Sequence, residues 1–172
     1  MMIRSFVCVC ALALVPAIAG AQATTTSTST TTSQAKKAAP KGAAGGTRTI
    51  EITGSETMKY DVTEIAAKPG ETLRVVLKSV GTMPKIAMGH NFVLLKAGAS
   101  PMEVSNAAFN ARETDFIPAA MKDKILAFTK VAGGGETVEV TFTAPAKPGK
   151  YDYLCTFPGH FAAGMKGVLT VK

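Results

Sequence analysis

From Thr47 onward, apolar and polar positions alternate in short runs. Thr47 to Thr53 alternates around Ile50 and Ile52, Leu73 to Val80 is β-branched and apolar, and Asn91 to Leu95 is a third short apolar run. Ile125 to Val131, Thr137 to Phe142, Tyr151 to Cys155 and Val168 to Val171 complete the series. Runs of this length and period predict strands, because successive side chains point to opposite faces of a sheet. Between them, "KPGET" and "AGGGET" are turn signals. The glycines Gly133 to Gly135 read as a hairpin turn, since the lysine and hydroxyl residue that would open a helix beside a phosphate cradle do not follow them. The period changes between Pro101 and Lys124, where Val104, Ala107, Ala108 and Ala111 recur at helical spacing. The expected fold is all-β, a small Greek-key sandwich or barrel with a short helical insertion.

The segment before Thr47 follows another pattern. Arg4 precedes an apolar run from Phe6 to Ala19 that leads into Ala19-Gly20-Ala21, a small-residue cleavage pattern. Residues 1–21 are therefore expected to be a secretory signal peptide or an N-terminal anchor. Residues 22–46 hold Thr, Ser, Ala, Lys and Gly with no aromatic side chain. Such a stretch buries too little surface to offset its ordering entropy, so a flexible linker is expected, either a leader remnant or a tether. Residues 47–172 then form one domain, for which a hydrophobic fraction of 47% suffices.

Charge narrows the choice of partners. Without Arg4 the chain carries 18 basic and 12 acidic residues, a net charge of +6. The basic positions are interrupted by acidic ones and no aromatic-interleaved basic motif occurs, which argues against nucleic acid.

The chemistry is concentrated in "CTFPGHFAAGM", Cys155 to Met165. Cys8 and Cys10 lie in the leader, so an exported domain keeps one thiol, unable to form an internal disulfide and in need of protection. Thiolate and thioether are soft donors and imidazole is intermediate, a set that suits copper in both oxidation states, whereas structural zinc seldom recruits a thioether. Cys155 ending one strand, a turn at Pro158-Gly159, and Met165 beginning the last strand would fold three donors around one point. A fourth donor must come from elsewhere. His90, in "MGHNF" at the start of an earlier strand, is the only other histidine in the chain.

At these residues the chain resembles a cupredoxin of the azurin and auracyanin group, from about Thr47 to Lys172, through "MGHNFVL" and "YLCTFPGHFAAGMKGVLTVK". The resemblance implies a cupredoxin-like sandwich holding one type 1 copper. It carries over His90, Cys155 and His160 as equatorial ligands, Met165 as the long axial one, and Gly89 as a weak backbone contact. Asn91 matches the residue beside the ligands that hydrogen-bonds to the thiolate and steadies the loop. Azurins separate the second histidine from the methionine by three residues. Here four intervene, as in auracyanin, and the amino-terminal disulfide of azurins is excluded, so the auracyanin-like assignment is preferred.

The function expected is electron carriage between redox protein partners outside the cytoplasm, in the periplasm if exported, with a membrane tether through the N-terminus. A copper store or chaperone is the alternative. A thiol hydrolase is disfavoured because no orienting acid lies near Cys155 and His160 in sequence and Met165 would be unexplained. Met88, Phe157, Pro158, Phe161, Ala162 and Ala163 are expected to form an apolar docking patch around an exposed edge of His160.

Overall fold

The computed structural model describes residues 46–172; the expected signal or anchor and nearly all of the expected linker lie outside the described residues. Nine strands build two sheets. β1 (Arg48–Ser55), β2 (Lys59–Tyr60), β4 (Thr72–Ser79) and β7 (Thr137–Thr143) form the first, in the order β2-β1-β4-β7. The second comprises β3 (Glu64–Ala67), β5 (Val93–Leu95), β6 (Ile125–Phe128), β8 (Gly149–Leu154) and β9 (Lys166–Val171), in the order β3-β9-β8-β5-β6. The pairs β1/β4 and β3/β9 are parallel and the others antiparallel. This is the sandwich expected of a cupredoxin.

The core lies between the sheets, where Ile52, Leu73, Val75, Leu77, Phe92, Leu94, Tyr153 and Leu169 pack together. Full burial of a side chain of this size contributes about 1.5–3 kcal/mol. The run "FVLL" at 92–95 shows why an apolar stretch need not alternate. Phe92 and Leu94 face the main core, while Val93 and Leu95 face a second cluster with Val104, Ile117, Ile125 and Leu154.

That second cluster seats the insertion. α1 (Pro101–Ala108) begins at Ser100, whose hydroxyl accepts from the Glu103 N–H, with Pro101 in the first turn where its missing donor costs nothing. Val104 and Ala108 are buried as the spacing predicts, while Ala107 and Ala111 are half-buried. The helix is shorter than the expected excursion, and two 3-10 turns, Arg112–Thr114 and Ala119–Lys124, complete it.

Two expectations need correction. "AGGGET" is not a hairpin turn, because β6 and β7 belong to different sheets and the segment crosses between them. Two of its glycines are required by crowding: a Cβ on Gly134 would lie 2.7 Å from the Gly81 carbonyl oxygen, and one on Gly133 would lie 2.9 Å from the Lys85 nitrogen, while Gly135 takes a left-handed φ of 79°. The triple glycine thus lets the connection pack against the loop that leads to His90. His90 also precedes its strand: it forms an isolated bridge with Ala132, and β5 starts only at Val93. Among the described residues no helix is long and apolar enough to cross a membrane.

Candidate metal centre

Antiparallel pairing of β8 with both β5 and β9 brings the ends of three segments together. Cys155 directly follows β8 and Met165 directly precedes β9, each one residue beyond the strand expected to hold it. They are joined across the ladder, the Cys155 N–H donating to the Met165 carbonyl at 3.1 Å. Between them the chain winds tightly. His160 N–H donates to Phe157 O, Ala163 N–H to Gly159 O, and Met165 N–H to His160 O at 2.9 Å. Gly159 and Gly164 take φ of 84° and 96°, left-handed values that favour glycine. His90 arrives from the other side, its main chain held by Ala132 through bonds of 2.9 and 2.7 Å.

His90, Cys155 and His160 come together. The Nδ1 atoms of His90 and His160 are 3.2 Å apart, and Cys155 Sγ lies 3.5 Å from His160 Nδ1. One ligand atom from each residue lies within 4.8 Å of the other two. These spacings accommodate one first-row metal at ordinary metal–nitrogen and metal–sulfur bond lengths. His90, Cys155 and Met165 are 0% exposed and His160 is 2% exposed. Met165 closes the group: its Cε and the His90 Cγ both lie 3.0 Å from the point where a Cβ on Gly54 would stand.

Burial sets the protonation of the free donors. It holds the His160 imidazole down at about 4, with the neighbouring His90 ring adding to the effect, and it lowers His90 against an opposing pull from Glu56. Both rings are therefore neutral at pH 7, as a metal ligand must be. Burial pushes the Cys155 thiol up to about 12, offset in part by the backbone N–H groups of Asn91 and Phe157. A cation supplies what the pocket lacks, because it favours the thiolate that burial disfavours. The donor set and its surroundings fit copper, with two neutral imidazoles, a thiol in a dry pocket, an adjacent thioether and no carboxylate in the cluster.

The surroundings refine the expected roles. The Asn91 side chain does not reach the sulfur. Its amide donates to Thr156 Oγ1 at 2.8 Å and to Asp115 O at 2.9 Å, and its oxygen accepts from the Thr156 N–H at 2.8 Å. Asn91 thus clamps the residue after Cys155, while its backbone N–H faces the sulfur. Tyr60, whose hydroxyl donates to Asn91 O, Thr156 and Asp115 were not found by sequence reasoning. Tyr60 and Asp115 lie far from the ligand motifs in the chain, and Thr156, although inside "CTFPGHFAAGM", is not a donor type. His90 Nε2 is buried without a hydrogen-bond partner among the described residues. Gly89 is buried, and a Cβ there would meet Val131 Cγ1 at 2.4 Å and Phe157 Cε2 at 3.0 Å. That crowding requires glycine irrespective of where its carbonyl points.

The expected docking patch is only partly at the surface. Phe157 is buried, its ring 5.0 Å from Phe116 and 4.8 Å from His160. Phe161 is half-buried against the second cluster, with the Lys166 ammonium over its ring. An aromatic ring on this tight loop gains more from the neighbouring apolar cluster than from water. Ala162 is exposed, and Met88, Pro158 and Ala163 are half-buried. His160 presents at most an edge.

A two-sheet sandwich that buries two imidazoles, a thiol and a thioether at one end defines the blue copper class of cupredoxins, and comparison with known proteins agrees. Residues 47–172 match the family model described as copper binding proteins, plastocyanin/azurin family, and the chain belongs to that family of electron-transfer proteins. It is 38% identical to auracyanin-A of Chloroflexus aurantiacus over 133 residues, covering 76% of this chain and 78% of that one. It is 41% identical to azurin of Achromobacter denitrificans over 124 residues, covering 70% and 82%. Among solved structures, reduced auracyanin from Roseiflexus castenholzii matches with a TM-score of 0.64 at 43% identity, covering 72% of this chain and 96% of that one.

Proposed function

We propose that the chain is an electron carrier that works outside the cytoplasm, holding one copper through His90 Nδ1, Cys155 Sγ and His160 Nδ1 with Met165 as a weak axial donor. The observation that carries this reading is the convergence of two neutral imidazole nitrogens and one thiol sulfur within 4.8 Å in a fully buried pocket. When bound, copper supplies a one-electron couple that this donor set tolerates in both oxidation states. The chain's part is to hold the donors still and dry. The Asn91–Thr156 clamp, the Cys155–Met165 backbone bond and the His90–Ala132 bridge each fix one donor, so a change of charge requires little rearrangement.

Burial also favours a carrier over a store or chaperone, which would need exposed, exchangeable donors. The extracytoplasmic placement rests on the sequence of residues 1–21, and the tether on the composition of residues 22–46. Electrons are proposed to pass to and from protein redox partners at the face formed by Met88, Pro158, Ala162 and Ala163, beside the His160 edge.

Visible absorption tests the assignment. The copper-loaded, oxidised protein is expected to be intensely coloured through Cys155 sulfur, to bleach and recover on one-electron reduction and reoxidation, and to lose the band in Cys155→Ser. A band that survives the substitution, or copper lost at each reduction, would overturn the reading.

A further inference from the structure

Gly54 sits near the end of the inner strand β1, against His90 and Met165 of the metal centre, with a φ that any residue can adopt. Its φ lies outside the left-handed region, so backbone strain does not account for glycine there. Space does. A Cβ at Gly54 would stand 3.0 Å from His90 Cγ, 3.0 Å from Met165 Cε and 3.1 Å from His90 Cδ2, tighter than ordinary van der Waals contact. The absent side chain is the gap into which an equatorial imidazole and the axial thioether both fit.

Gly54 cannot retreat from that contact. β1 is paired on both sides, Gly54 lying opposite Tyr60 of β2 and opposite Ser79 of β4, and its carbonyl accepts from the Val80 N–H at 2.9 Å. The His90 main chain is equally fixed by its two bonds to Ala132, and Met165 by its bonds to Cys155 and His160. With three backbones pinned, a methyl group at position 54 can be accommodated only by tilting the His90 ring or turning the Met165 terminus.

We propose that Gly54 is a positioning residue of the metal centre: by presenting no side chain it sets the separation between the His90 imidazole and the Met165 thioether, and hence the axial geometry of the bound metal. The inference rests on the copper reading for its consequence, and on the apoprotein alone for its geometry. Glycine within a strand commonly marks such a close approach.

Gly54→Ala tests it against Ile50→Val, a change in the same strand that lightens core packing without touching the donors. Gly54→Ala is expected to keep the wild-type far-ultraviolet circular dichroism, to shift the visible bands and the copper hyperfine splitting, and to weaken copper binding about tenfold or more. In the copper-free protein its His90 ring resonances should move. Ile50→Val should lower the unfolding midpoint and leave the spectrum and the His90 resonances in place. A Gly54→Ala protein with wild-type spectrum, affinity and His90 resonances overturns the proposal. A wild-type protein without a coloured copper form defeats the copper reading instead, while the apoprotein resonances still decide the spacing. If Gly54→Ala fails to fold, Gly54→Ala/Met165→Ala, which vacates one of the two contacts, is expected to fold; its failure also overturns the proposal.

Discussion

A single residue, Asn91, shows how much of this site depends on groups that never touch the metal. It sits between the proposed ligand His90 and strand β5, and its side chain makes three hydrogen bonds, two of them to Thr156 across a gap of 65 residues in sequence. Both bonds to Thr156 are buried and the one to Asp115 is half-buried. Asn91→Ala would leave the Thr156 N–H and hydroxyl without their partner in a dry environment, where an unsatisfied group costs about 1–3 kcal/mol. The expected outcome is a loss of stability of that size in chemical denaturation, with copper retained but released faster because Cys155 is no longer held from its C-terminal side. Unchanged release would show that the loop's own backbone bonds suffice. Sequence reasoning found Asn91 through the motif next to His90 but not what it binds, because Thr156 has no distinguishing context beyond its place after Cys155.

At the scale of elements, the two sheets are stitched at the edge remote from chemistry by Arg48 at the start of β1. Its guanidinium donates to both carboxylate oxygens of Glu71, at 2.5 and 3.2 Å, and to the Ala66 carbonyl of β3 at 2.6 Å. The Arg48 guanidinium holds the Glu71 carboxyl below the usual carboxylate range, aided by the Lys68 N–H. A depressed folded-state value means that this stabilisation is present above the ordinary carboxylate pKa and is lost as the pH falls through the depressed one. The pair is partly exposed and so contributes about 1 kcal/mol. Arg48→Met should therefore be less stable by about that amount at pH 7, the difference shrinking to nothing below the carboxylate range; a difference independent of pH would assign the effect to packing. β3 itself was not anticipated, and β2 spans only two residues. Each is too short to show a period, and each is stabilised by its neighbour in the sheet, not by its own sequence.

For the molecule as a whole, the question is where an electron crosses the surface. Three donors are fully buried and His160 is 2% exposed, in a loop where Ala162 is exposed and Pro158 and Ala163 are half-buried; this is the proposed exit face, with the half-buried Met88 as its extension. Weak redox encounters bury little area, so one charge in that face is enough to disturb docking. Ala162→Asp should slow electron exchange with a protein partner about tenfold while preserving the copper spectrum. Stopped-flow mixing reads both together, and an unchanged rate would move the exit elsewhere.

The sequence alone determined the class of fold and picked out the residues that cluster at the candidate metal centre. Alternation of apolar residues reflects the pleat, which is local, and the two imidazoles and the one thiol outside the leader are too few in this chain to be overlooked, while Met165 stands out among eight methionines by its place in the same short loop. Tertiary structure decided the rest. That β6 and β7 lie in different sheets is decided by the strands each pairs with, and that Phe157 turns inward, that Thr156 completes the Asn91 clamp and that Gly54 lies against both His90 and Met165 are facts about segments tens of residues apart. Such contacts arise from the closure of two sheets over one core. No local period encodes them, because a side chain's neighbour across a sandwich is chosen by the register and packing of strands other than its own.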